Sequence, residues 1–409
     1  MVVVGVAVAF GSVMYLASKR VALWLSLLAG TGILGLLSQM GLPSFTTALA
    51  DGLFSPMTVQ LVLAVALISG LGKVMKESGD LELMVGSLVA LFPRPKVLTM
   101  LLPALIGTIN VPGGAIMSAP MVEENGKALG LNNAAHAAVN LFFRHIGYFV
   151  YPLHTSIIVL SELLALPKQA IIRANFVPML AAVITAYFFF FRGKGPAHGE
   201  PNNETNAAHH LKGFLLGFSP VMVILGLVLI FDLPFYLATA VGLLLALIRG
   251  IQAEHWGRTF LERLKQLVTS GIDYKLALAI LSLMLFKSVV EAAGATSILA
   301  ASLLNYGIPL PVLVILLGLL AGYILGTHLA AAGILAPFFA PLLPQAALAP
   351  YTSLLLISIM LGYLVSPLHL CLVLTTEYFD VPYGQTLRKL AVPLLTMLAA
   401  ALVRLLLAL

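Results

Sequence analysis

Apolar residues run along this chain in long blocks separated by short polar breaks, and a block of about 20 such residues spans a bilayer as a helix. The blocks predict spans at 2–17, 21–40 and 57–74, with a loop at 41–56 and, at 81–92, a segment too short to cross that reads as an interfacial arm. The block at 97–122 carries Asn110-Val111-Pro112-Gly113-Gly114 at its middle. Pro-Gly-Gly is turn chemistry, so this block predicts a re-entrant hairpin. The block at 134–166 is broken at Pro152, and 171–191 closes the first half. A hydrophilic stretch, 192–212, reads as a flexible linker. The plan then recurs: spans at 215–230 and 235–247, a basic amphipathic arm at 252–267, a span at 276–290, a hairpin at 312–343 around Gly326-Thr327-His328, a helix at 353–379 broken at Pro367, and a last span at 390–409.

The recurrence extends to individual residues. Gly147-Tyr148-Phe149-Val150-Tyr151-Pro152-Leu153-His154 returns as Gly362-Tyr363-Leu364-Val365-Ser366-Pro367-Leu368-His369, an offset of 215 (362 minus 147). The register holds through Glu162 and Glu377, Pro167 and Pro382, Arg173 and Arg388, and Pro178 and Pro393. Ser118-Ala119-Pro120 aligns with Leu335-Ala336-Pro337 at 217 (335 minus 118), an insertion of two between the anchors. Leucines match by chance in so apolar a chain; Gly, Tyr, Pro, His, Glu and Arg in register mark an internal duplication. Each copy of Pro-Leu-His interrupts an apolar run, because proline removes a backbone hydrogen bond. In lipid the freed groups are tolerated only against protein or a water-filled cavity. Paired interruptions in two halves point to a transporter's binding site.

The predicted fold class is therefore an all-α polytopic membrane protein of two inverted-topology repeats, each with about five spanning helices and one re-entrant hairpin, and with broken helices at the midplane. The first repeat covers 1–191 and the second 213–409, joined by the linker at 192–212. Composition agrees: 60% of the 409 residues are hydrophobic and only 9% charged. Soluble domains are nearer a quarter charged. The net charge of +6 is not a nucleic-acid signal, since the basic residues fall in short loops. With the N-terminus outside, Lys19, Arg20, Lys73, Lys76, Arg94, Lys96, Lys127, Arg192, Lys194, Lys212, Arg249, Arg258, Arg263 and Lys265 fall inside, as do Arg388 and Lys389. Lys168, Arg173 and Lys287 fall outside. This obeys the positive-inside rule and places both termini outside and the linker in the cytoplasm. An odd number of spans per repeat inverts the second half against the first. The N-terminal block lacks a basic leader and cleavage site, so it reads as the first span.

Candidate chemistry sits where the hairpins and breaks meet. Arg144 and His145, in a run with Asn140, are expensive in a membrane: a central arginine costs about 2.5–3.5 kcal/mol on insertion scales. Arg144 either holds an anion or snorkels to the interface; sequence leaves both open. The hairpin tips Asn110, Gly113, Gly114, Thr327 and His328, with Ser118, offer backbone N–H groups at half-helix ends, which favour anions at helix N-termini. His154, Thr155, Ser156, Ser366 and His369 lie at the breaks. Their hydroxyls and freed carbonyls suit Na⁺, a hard cation that takes oxygen ligands, and the histidines suit proton coupling. The same histidines also suit a structural role on the broken helices' carbonyls. His198, His209 and His210 lie in the linker without regular ligand spacing, so no metal site is read there. Cys371 is the only cysteine, which leaves no internal disulfide.

Asn110-Val111-Pro112-Gly113-Gly114 through Ser118-Ala119-Pro120, Phe143-Arg144-His145, and Ser366-Pro367-Leu368-His369-Leu370-Cys371 with Glu377-Tyr378-Phe379 resemble the signatures of a prokaryotic integral membrane family. That family belongs with the ion-transporter superfamily of gluconate, citrate, dicarboxylate, arsenite and Na⁺/H⁺ permeases. The resemblance covers nearly the whole chain. It implies scaffold helices (1–92 and 213–306) that form a homodimer in the cytoplasmic membrane. It also implies transport elements (97–191 and 309–409) that move as an elevator. Dicarboxylate members carry Ser-Asn-Thr at both hairpin tips, where this chain has Asn-Val-Pro and Gly-Thr-His. The resemblance implies no substrate; the expectation is a secondary transporter of a small organic anion, a carboxylate before other anions, coupled to Na⁺ or H⁺. Its partners are that anion and membrane lipid, with no cofactor and no nucleic acid. A cation/proton antiporter is the alternative, weakened because no acidic residue sits at a tip or break. An enzyme is disfavoured, since neither His-Glu-x-x-His nor Gly-x-Ser-x-Gly occurs. A channel fits a duplicated, hairpin-bearing chain less well than alternating access.

Overall fold

Helices carry nearly all the regular backbone, as they must where no water can pair with exposed N–H and C=O groups. The structure, a computed structural model, describes residues 2–19, 21–92, 94–108, 114–195, 207–231, 233–249, 256–294 and 308–409. The first half contains α1 (Val2–Ser18), α2 (Leu23–Leu37), α3 (Leu42–Phe54), α4 (Pro56–Glu77) and α5 (Asp80–Leu91). It continues with α6 (Pro95–Thr108), α7 (Gly114–Ala128), α8 (Asn133–Ile146), α9 (Thr155–Leu163) and α10 (Lys168–Phe191). The second half contains α11 (Ala207–Leu229), α12 (Phe235–Ile248), α13 (Trp256–Gln266), α14 (Tyr274–Ala292) and α15 (Leu310–Leu325). It ends with α16 (His328–Phe339), α17 (Leu348–Leu364), α18 (Leu370–Tyr378) and α19 (Tyr383–Leu406).

Among the described residues five helices are long and apolar enough to cross a membrane: α4, α10, α11, α17 with the short turn Gln345–Ala347 before it, and α19. They answer to five of the expected spans. α2 and α12 are apolar but have only 15 and 14 residues. At 1.5 Å per residue they fall short of a hydrocarbon core about 30 Å thick, so their flanks must complete any crossing. The two expected breaks are present. Between α8 and α9 the chain passes through a tight turn at Gly147–Phe149 and leaves helical form before Thr155. Between α17 and α18 it does the same before Leu370.

Packing pairs recur between the halves. α2 packs on α14 and α12 on α4; α8 packs on α19 and α17 on α10; α7 packs on α18 and α16 on α9; α10 and α19 pack on each other. Each half thus adds to the other: the duplicated elements bury apolar faces across the repeat boundary as well as within each repeat, as α15 does on α17 and α6 on α7 and α8. α8 and α17 form the centre. Every residue of α8 after Asn133 is buried, and α17 is buried on nearly all sides. Both helices therefore lie inside the protein rather than at its lipid-facing surface. Outside them, α10 and α19 show Val177, Ile184, Phe188, Leu395, Val403 and Leu406 at the surface, a face suited to lipid.

Two expectations need correction. Residues 41–56, read as a loop, hold α3. Gly41, Pro43 and Ser44 look like turn residues, but proline is favoured in a helix's first turn, where its missing N–H costs nothing. Gly52 then lets α3 approach α14 at Met284, Leu285 and Ser288. The linker at 192–212 is shorter than expected, because α11 begins at Ala207 and takes His209 and His210 into its first turn; His198 lies outside the described residues. The arm α13 and the π-turn after it (Leu267–Gly271) pack against α12 and α4, as α3 packs against α14. The counterpart of α13 is therefore α3, while α5 packs on α11, with Asp80 and Met84 against Gly217.

Candidate functional site

The two breaks carry the duplicated Tyr and His, and the fold brings both copies together. Tyr148 stacks on His154 with ring centroids 4.1 Å apart. Tyr363 lies against His369 at 3.9 Å. The offset of 215 relates both members of the two pairs (363 minus 148, 369 minus 154). Two histidines without counterparts fill the space between the pairs: position 145 corresponds to Met360, and His328 comes from the second hairpin. His145 sits edge-on to Tyr148 at 5.0 Å and to His369 at 4.9 Å. His328 lies 4.6 Å from His154 and 5.0 Å from Tyr363. Four imidazoles and two phenols thus form one cluster from α8, α16, α17 and both breaks.

Each group is placed by local chemistry. His154 and His369 stand immediately before α9 and α18, in extended backbone that begins the helix without a side-chain cap. Thr155 and Ser156 form the first turn of α9. Ser156 Oγ and His328 Nδ1 are 2.6 Å apart, a hydrogen bond joining the first break to the second hairpin. That hairpin turns at Gly326, whose φ of +59° suits glycine, and a Cβ there would strike Leu368 of the second break. Thr327 follows in extended backbone and His328 opens α16. Ser366 donates to the Tyr323 carbonyl at 2.6 Å, so this hydroxyl fastens the break to α15.

The first hairpin is held differently. Ser118 donates to Asn140 Oδ1 at 2.6 Å, and Asn140 Nδ2 donates to the Ala115 carbonyl at 3.0 Å and reaches Thr375 Oγ1 at 3.3 Å. Asn140 is fully buried and spends its amide joining α7, α8 and α18. Gly114 opens α7; Asn110 and Gly113 lie outside the described residues.

Arg144, one turn before Tyr148, is only 3% exposed. Its Nε and Nη1 have no hydrogen-bond partner. The ion pairs among the described residues are Lys73–Glu77, Lys127–Glu123, Lys168–Glu162, Arg249–Asp80, Arg258–Glu262 and Lys287–Glu291; Arg144 is in none. A narrow cleft with a volume of ≈ 30 Å³ opens beside this centre, lined by Tyr148, Tyr151, His154, Thr155 and Thr108 on one side and by Ile68, Leu71 and Met75 of α4 on the other.

Of the residues singled out from sequence, His145, His154, Thr155, Ser156, His328 and His369 meet in or beside the cluster, while Ser118, Asn140 and Ser366 hold elements together near it. Tyr148, Tyr363 and Cys371 were not singled out as site residues. The duplicated motif itself was the signal for both tyrosines, since a repeated aromatic beside a repeated histidine invites stacking.

A family model described as "Protein of unknown function (DUF401)" matches residues 5–409, and the chain belongs to that family. No curated protein matches it in sequence. Among solved structures it is similar to one titled "Crystal structure of the Alcanivorax borkumensis YdaH transporter reveals an unusual topology", with a TM-score of 0.57 at 16% identity over 96% of this chain and 97% of that one. The two share a multi-spanning, all-helical membrane fold.

Proposed function

We propose that this member of the DUF401 family is a secondary transporter of a small organic anion, a carboxylate by preference, coupled to Na⁺ or H⁺. The observation that carries the reading is Arg144, a buried guanidinium with two unpartnered nitrogens and no ion-pair partner among the described residues. Burying an unpaired charge costs several kcal/mol. A chain keeps such a group where a charge of opposite sign will meet it, and guanidinium is the group of choice for a carboxylate. Half-helix N-termini at Thr155, His328 and Leu370 add favourable dipoles for an anion. The transporter fold found by comparison supports the class of activity.

The mechanism we propose is alternating access by inverted repeats. The reciprocal packing of α2 on α14 and α12 on α4 suits a scaffold, with dimerisation through those helices. The hairpins, the broken helices, α10 and α19 would then move as an elevator against it. The narrow cleft lies between α4 and the first break, where such a mobile element would slide. Coupling by H⁺ is favoured over Na⁺ by the number of imidazoles at the centre, which makes His154 and His328 the proton carriers to test.

The test is a thermal-shift series on detergent-purified protein with mono-, di- and tricarboxylates and inorganic oxyanions, each with and without Na⁺ and at several pH values. Ligand at a hundredfold excess over its Kd stabilises by about 2.7 kcal/mol. One anion class should shift wild type and leave a folded Arg144→Gln variant unmoved. Equal shifts in both would remove Arg144 from the site. Shifts by Na⁺ or pH with no anion effect would replace this reading with cation/proton exchange.

A further inference from the structure

His145, His369 and Cys371 converge from α8 and the start of α18, and their ligand atoms all lie within 4.8 Å of one another. The two imidazoles are each 1% exposed and meet nearly edge-on, at 79° between ring planes. His145 Nδ1 lies 2.7 Å from the Leu141 carbonyl oxygen. A carbonyl only accepts, so Nδ1 carries the hydrogen and donates it, which leaves Nε2 with a free lone pair. That Nε2 is buried without a partner. Metal-binding histidines are commonly fixed this way, one ring nitrogen donating to a backbone carbonyl while the other ligates. His369 is likewise buried without a side-chain partner, with the Leu364 backbone as its hydrogen-bonding neighbour. Cys371 is half-buried.

We propose that these three residues bind one thiophilic monovalent cation of the Cu(I) or Ag(I) type. Two imidazoles and a thiolate are soft to borderline ligands, which suit copper and zinc and do not suit Na⁺, Mg²⁺ or Ca²⁺. Ligand atoms at about 2.0–2.3 Å from one ion stand roughly 3.5 Å apart, so side-chain closure of about 1 Å completes the site. Charge selects among the soft ions. The Cys371 thiolate neutralises a monovalent ion, whereas a divalent ion would leave a positive charge beside buried Arg144. No carboxylate joins the group among the described residues. Binding exchanges a proton for the ion: the S–H bond breaks, the S–metal bond forms, the proton leaves to solvent, and no electron is transferred.

This site uses no group that the anion reading depends on at Arg144, and its probe is the metal alone, so the two stand or fall separately. Cys371 is the chain's one cysteine, which makes thiol chemistry a report on this site only. Purified protein would be titrated with Cu(I) against a competing chelator under anaerobic conditions, and the loaded protein measured by X-ray absorption. The expected result is one ion per chain with both nitrogen and sulfur neighbours, protection of Cys371 from maleimide, and affinity at least tenfold weaker in His145→Gln and His369→Gln. A sulfur-only shell in wild type would overturn the site, as would histidine variants that bind as wild type does, since Cys371 would then be an ordinary thiol. The absorption measurement needs no variant, so the assignment is decided even if a histidine replacement does not fold.

Discussion

Gly107 of the first hairpin and Arg144 of α8 touch backbone to backbone: a Cβ on Gly107 would overlap the Arg144 carbonyl oxygen. Gly322 stands in the same relation to Ile359, and both residues of the pair are displaced by 215 (322 minus 107, 359 minus 144). The duplication thus reaches into the packing of each hairpin on its central helix. It also isolates the difference between the halves: where one central helix carries Arg144, the other carries Ile359.

Gly107→Ala and Gly322→Ala should each destabilise the protein, by about 1–3 kcal/mol or more, because the added methyl meets rigid backbone rather than a mobile side chain. Gly86→Ala is the control. It lies on an exposed face of α5 with nothing close to a new Cβ, and should be neutral or up to about 1 kcal/mol stabilising through helix propensity. Thermal unfolding in detergent measures all three; equal behaviour would remove the close-contact argument.

Asn140→Leu places at α8 the residue that the second half has at the equivalent position, Leu355. The amide joins Ser118, Ala115 and Thr375, so its loss should cost about 1–3 kcal/mol through partners left unsatisfied. The first hairpin should also loosen, seen as faster backbone hydrogen exchange in α7. Unchanged exchange there would confine Asn140 to a packing role.

If His154 and His328 carry the coupled proton, His154→Gln and His328→Gln should flatten the pH dependence of uptake between about pH 5 and 8, the range in which imidazole titrates. Ser156→Ala, which removes the 2.6 Å partner of His328, should shift that profile while keeping its shape. Profiles unchanged in all three variants would assign these histidines to structure.

Orientation is tested by labelling. In a Cys371→Ser background, cysteines placed at Leu42 and at Gly195 should react with an impermeant maleimide from opposite faces of the membrane. Leu42 is 74% exposed, so a failure to react would not come from burial. Reaction from one face would refute the inverted arrangement.

The sequence by itself determined the membrane class, the duplication and both breaks. These follow from properties that need no partner: a membrane helix must be apolar over about 20 residues, proline removes its own N–H wherever it stands, and a repeat is a repeat before it folds. The identity of α3 was hidden because glycine and proline serve a helix's first turn as well as a loop. What faces what was decided by the tertiary structure. The Tyr148–His154 and Tyr363–His369 pairs meet only because the fold brings the ends of α8 and α17 together, with His145 of α8 5.7 Å from Tyr363 of α17. Ser156 finds His328 across 172 residues, and His145 finds His369 and Cys371 across more. Periodicity reports which face of a helix is apolar, and on α8 and α17 every face is buried. No pattern along such a helix can say which neighbour a histidine will reach; the packing of the two halves says it.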